Sequence, residues 1–175
     1  MLRLIFAFVD IMLHRRGPES LPSSPFLFWS LLVLSVVADC AIIWLAGESG
    51  RAFAVVLLVT GLNIWFVWAL LRTFNRQARF RQTMTAMLGV EVLLSILQAP
   101  LVRPLVEAPP QDPQNPTIAL PGVLLLVIVI WSIDISAFVF SRALERPYFL
   151  CAAMVIGYFL LIHTLQITLL QPVAA

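Results

Sequence analysis

Five apolar runs, each long enough to cross a bilayer, dominate this chain and leave few folds open to it. A spanning helix needs about 20 mostly apolar residues, and the runs Phe26–Ala46, Ala52–Leu71, Met84–Val102, Gly122–Phe140 and Tyr148–Leu170 all meet that length. They are continuous and rich in Leu and Val. Spanning β-strands would instead appear as alternating segments of about ten residues. Of the 175 residues 61% are hydrophobic and only 11% charged, with a mean hydropathy of +0.99. Soluble domains of this size leave too much surface wet to hide such a composition, and disorder requires the opposite one. The expected fold is therefore all-α: a polytopic membrane bundle of five transmembrane helices, preceded by an N-terminal interfacial helix.

The connections give the bundle its expected orientation. Gly47–Arg51 reads as a tight turn, making a hairpin of spans one and two. Leu105–Pro121 holds Pro109, Pro110, Pro113, Pro116 and Pro121, which favour an extended course outside the membrane. All eleven basic residues are Arg. Arg3, Arg15, Arg16, Arg72, Arg76, Arg79, Arg81, Arg142 and Arg146 fall on one side of the spans, and only Arg51 and Arg103 near the other. The positive-inside bias makes the first side cytoplasmic, with the N-terminus inside, the C-terminus outside and the chain in a bacterial inner membrane. Trp29 and Tyr148 then belong to the inner aromatic belt and Trp44 to the outer one. Residues 72–81 also suit anionic lipid headgroups, through Arg72, Arg76, Arg79 and Arg81.

Residues 1–13 are too short to span. Arg3, Asp10 and His14 share one helical face of an otherwise apolar stretch, which predicts an amphipathic helix on the inner leaflet. A Pro-punctuated linker over residues 14–25 follows it. Asp10 interrupts the apolar stretch and no small-residue cleavage site follows, which argues against a signal peptide.

Ionisable groups inside a span carry a functional hypothesis by default. Four are present, Asp39, Glu91, Asp134 and His163, and Asn63 joins them. At ~1.5 Å per residue they sort into two depths. Asp39 and His163 fall in an outer layer, where they can pair. Glu91, Asp134 and Asn63 fall in an inner layer, where two carboxyls can share a proton. Interhelical hydrogen bonding is the structural alternative. Ala153 with Gly157, and Ser132 with Ser136, have the four-residue spacing of close helix contacts. Cys40 and Cys151 lie too far apart in depth to pair.

Nothing in the chain has the spacing of a catalytic or metal site. The two histidines, His14 and His163, fall on opposite sides, no phosphate-binding Gly-rich loop is present, and no basic stripe suits nucleic acid. No enzyme activity, cofactor or metal is expected, and no nucleic-acid partner. The span count, the orientation and Gly157-Tyr158 in span five resemble the Yip family of five-span membrane proteins and its small bacterial relatives, although the family's Asp-Leu-Tyr-Gly-Pro stretch is absent. The resemblance implies a non-enzymatic membrane protein that binds other membrane proteins. The expected function is thus an accessory or scaffold protein, surrounded by lipid and bound to a membrane-protein partner or to itself. The alternative is a small oligomeric proton- or ion-coupled transporter or channel built on the intramembrane Asp, Glu and His.

Overall fold

A computed structural model describes residues 2–47, 52–107 and 116–170. Six α-helices form among the described residues: α1 (Leu2–Met12), α2 (Pro25–Leu45), α3 (Ala52–Thr73), α4 (Phe80–Glu107), α5 (Pro116–Leu144) and α6 (Tyr148–Leu170). No strand occurs among the described residues. Helices α2 to α6 are long and apolar enough to cross a membrane. The protein is a multi-pass membrane protein. The turn beyond Gly47 and the centre of the Pro-rich connection, residues 108–115, lie outside the described residues.

The helix ends follow local chemistry. Ser24 caps α2, its hydroxyl accepting from the Leu27 amide at 3.4 Å, and Pro25 fills the first turn, where no amide donor is needed. Helix α4 continues through Pro100 and Pro104 to Glu107, and α5 through Pro121. Both helices overrun the apolar spans read from sequence and take up the flanks of the stretch expected to be extended. A proline removes one hydrogen bond from a helix. In an apolar setting, unwinding would strand several backbone groups, so the ladder persists around it.

Three helices end in the same way, all at one end of the bundle. His14, Asn75 and Glu145 adopt left-handed backbone with φ of 58°, 57° and 55°. In each case the next residue is an arginine whose amide returns to a carbonyl five residues back: Arg15 to Asp10 at 2.8 Å, Arg76 to Leu71 at 2.7 Å and Arg146 to Ser141 at 3.2 Å. This is the Schellman closure, which usually employs glycine. At the opposite end α2 does use glycine, Gly47 at φ 82°.

The spans form a ring in the order α2, α4, α5, α6, α3, which closes back on α2, with α4 also touching α3. Helix α4 is the most buried span. It packs most extensively on α2 and α5, and its Thr83, Ala86 and Leu88 are sealed from solvent. Large apolar side chains on the outer faces, among them Trp29, Trp44, Phe53, Trp65 and Phe149, are exposed, as expected of a surface that lipid covers.

Helix α1 lies against the outside of this ring, on α4 and α5. It buries Phe8, Ile11 and Met12 in the shared core while Ile5, Phe6 and Leu13 remain exposed. Gly89 of α4 makes the close approach possible, because any Cβ there would run into the Phe8 ring. Part of the apolar face expected to rest on lipid is thus packed on protein. Asp10 receives Arg16 Nε at 3.1 Å, and Arg3 is exposed.

Candidate functional site

Inside the ring is a cavity of about 290 Å³ lined by all five spanning helices. Its polar groups arise from helical spacing. Glu91, Ser95 and Gln98 fall at i, i+4 and i+7 on α4 and share a face. Thr60 and Asn63 share a face of α3, and Ser132 and Ser136 share one of α5. Asp39 contributes from α2 and Tyr158 from α6. Two residues along α4 rotate the side chain by about 200°, which is why Gly89 meets α1 while Glu91 enters the cavity.

The hydroxyl-bearing groups are largely satisfied. Tyr158 Oη donates to Asn63 Oδ1 at 2.5 Å, bridging α6 to α3, and its ring stacks on Phe66 with centroids 3.9 Å apart. Ser95 donates to the Glu91 carbonyl at 3.0 Å and Ser136 to the Ser132 carbonyl at 2.8 Å. The two carboxyls differ. Among the described residues, neither Asp39 nor Glu91 has a side-chain hydrogen-bond or ion-pair partner. Both line the same cavity, from α2 and α4. No residue lining the cavity is basic.

Polarity is graded along the bundle axis. The end that holds the three arginine-followed caps is the apolar end, where Val67, Met84, Met87, Leu88, Val139 and Phe140 line the cavity. One turn further toward that end, Leu71, Leu144 and Cys151 are buried in the core. Asp39, Thr60, Asn63, Glu91, Ser95 and Gln98 lie toward the opposite end.

The structure brings together Asp39, Glu91 and Asn63 and separates them from Asp134 and His163. Asp134 belongs to a second cluster, where it accepts from Tyr148 Oη at 2.6 Å and meets His14 Nε2 at 3.4 Å. The His14 ring also packs edge-on against Phe138, with centroids 4.4 Å apart. The left-handed backbone at His14 turns the chain end of α1 toward α5 at this point. His163 is exposed on α6 and stacks on Phe159 at 5.8 Å. Depth therefore pairs Asp39 with His163, but azimuth pairs it with Glu91. Trp131 packs against the core and does not line the cavity. Cys40 and Cys151 are free thiols.

No family model, curated protein or solved structure matches this chain.

The arginine-rich end is a network of its own. Glu145 binds Arg76 through one oxygen and Arg79 through the other, the latter at 2.5 Å. Arg79 also donates to the carbonyls of Arg142 at 3.1 Å and Ala143 at 3.3 Å, closing the last turn of α5. Arg142 pairs with Glu19 at 2.8 Å, joining the N-terminal linker to the α5 end. Of the arginines read as headgroup contacts, Arg76 and Arg79 thus hold protein carboxylates. Arg72 lies over the Trp68 ring at 4.9 Å, and Arg72 and Arg81 are exposed. The acidic partners Glu19 and Glu145 were not singled out in the sequence, because an isolated Glu in a linker carries no spacing signal.

Proposed function

We propose that this protein binds a cation within the membrane and moves it, with Asp39 and Glu91 as the binding groups. One observation carries the reading: two carboxyls from different spans enter one cavity, near each other, with no cationic residue and no hydrogen-bond donor assigned to them among the described residues. Ionisable groups in a bilayer are costly and usually pair with each other or line a pathway. Two acids held together without a base lack internal compensation, and a bound cation supplies it. Carboxyls serving only as structural glue would be hydrogen-bonded across helices, as Tyr158 and Asn63 are, and this supports cation binding over a scaffold role.

The test is cation uptake by the full chain in proteoliposomes, with Na⁺, K⁺ and a pH gradient as separate drives. Uptake above empty liposomes that falls to background in Glu91→Gln and in Asp39→Asn supports the reading. Parent protein indistinguishable from empty liposomes under all three drives overturns it.

A second reading, association with another membrane protein, draws on the outer face of α6. Ala153 and Gly157 are exposed there, and a Cβ on Gly157 would meet nothing within 4 Å, so the backbone is open to close approach by another helix. Kinship with the Yip-type proteins would fit this role. Pull-down in mild detergent should then return a membrane protein, or a second copy, in fixed proportion. A lone monomer counts against it. For either role we place the arginine-rich end in the cytoplasm of a bacterial cell, N-terminus inside and C-terminus outside, on the strength of the positive-inside bias. Exposed Arg72 and Arg81 are the residues left to meet anionic lipid.

A further inference from the structure

The cavity has a second property that a proton or a small inorganic cation does not call for, which is its apolar floor. From the position of these groups we infer that the occupant is a small amphipathic organic cation, an amine with an apolar body. This inference rests on the cation-binding reading above and adds the chemical class of the cation.

Three observations support it. First, the charge: Asp39 and Glu91 line the cavity, both half-buried, and neither has a partner among the described residues. A protonated amine offers a positive charge and N–H donors to both. Second, the floor: Val67, Met84, Met87, Leu88, Val139 and Phe140 line the cavity on one side of the carboxyls, with Ser136 as the hydroxyl among them. An apolar wall of this kind favours contact with an apolar group, whereas a proton or a hydrated inorganic ion gains nothing from it. Methionine side chains adapt to varied apolar shapes. Third, the size: about 290 Å³ is at the lower end of the range for small-molecule sites and is more than one inorganic ion fills. The apolar lining, with Leu71, Leu144 and Cys151 buried beneath it, sets the pose. The apolar body points to the arginine-rich end, and the ammonium lies level with Asp39 and Glu91.

The experiment measures binding of phenethylammonium to the full chain in nanodiscs, with 2-phenylethanol as a neutral counterpart and Na⁺ and K⁺ as inorganic controls. Phenethylammonium should bind, and 2-phenylethanol should bind about tenfold more weakly or not at all, since a buried charge partner is lost. Glu91→Gln should weaken phenethylammonium by about tenfold or more, and Asp39→Asn provides the same reading if the Glu91 variant fails to fold. Val139→Trp, which fills the floor, should weaken phenethylammonium while leaving methylammonium bound. Binding of Na⁺, K⁺ or methylammonium without phenethylammonium would overturn the amphipathic-cation inference and leave the cation-binding reading standing. Equal binding of 2-phenylethanol and phenethylammonium, or no response to any cation, would overturn both.

Discussion

The double variant Asp39→Asn, Glu91→Gln will melt at a higher temperature than the parent and will lose every cation-dependent shift in melting. The reason lies in what surrounds the two side chains. Both are half-buried in the cavity inside the ring of helices, and neither has a donor assigned to it among the described residues. Two acids facing one low-dielectric cavity oppose folding, by mutual repulsion or by the cost of holding protons, so their replacement by neutral amides is expected to stabilise the fold by on the order of 1 kcal/mol. In a chain of this length each kcal/mol corresponds to about 2–4 °C. Thermal unfolding followed by tryptophan fluorescence, with and without cation, reads both effects at once. Retained function with lowered stability would show the carboxyls to be interhelical fasteners and would remove the basis for the cation site. The amides keep the shape of the parent side chains, so packing is not the variable.

The second large effect concerns α1. Gly89→Val will push Phe8 out of its seat and detach α1 from α4. A Cβ at residue 89 overlaps the Phe8 ring, and Phe8 is buried, so relief requires the helix to shift. Overpacking of this kind costs about 1–3 kcal/mol. Ile11 has no exposed surface, which makes it the reporter. A maleimide should leave Ile11→Cys unlabelled in the parent background and label it in the Gly89→Val background. Phe8→Ala added to Gly89→Val should recover most of the lost stability, since it empties the space the valine needs. Equal labelling in both backgrounds would mean that α1 does not depend on this contact.

The spans were legible because the bilayer imposes one length and one polarity on each of them. The centre of the bundle was legible too. Helix α4 has a mean hydropathy of 1.7 against 2.0–2.6 for the other spans, and the least apolar span is the one that faces mostly protein. Asp39, Glu91 and Asn63 stood out as polar exceptions, but depth is only one of three coordinates. It cannot say that Ile162 and Tyr158 of α6 line the cavity while His163, one position on, points outward. Nor can it say that Asp134 is met by His14 and Tyr148. Tyr158, Thr60 and Ser95 were missed as lining residues. For α4 the signal was present in the i, i+4, i+7 spacing of Glu91, Ser95 and Gln98. Single polar residues such as Thr60 carry no comparable pattern until the neighbouring helix is known. The proline-bearing ends were misjudged for a different reason. Proline statistics describe chains in water, where an unwound backbone finds solvent partners.

The three left-handed caps have a bearing on how this protein can change. In each, one residue stops the helix and the arginine after it closes the turn through its backbone amide. The same three arginines belong to the count on which the proposed orientation rests, and their positive charge sits where the helix dipole is negative. Punctuation and address are written in the same dipeptide. A substitution that reverses the charge at Arg15, Arg76 or Arg146 therefore keeps the amide that ends the helix but weakens both the dipole pairing and the insertion signal. On the proposed orientation, helix ends and membrane address are inherited together.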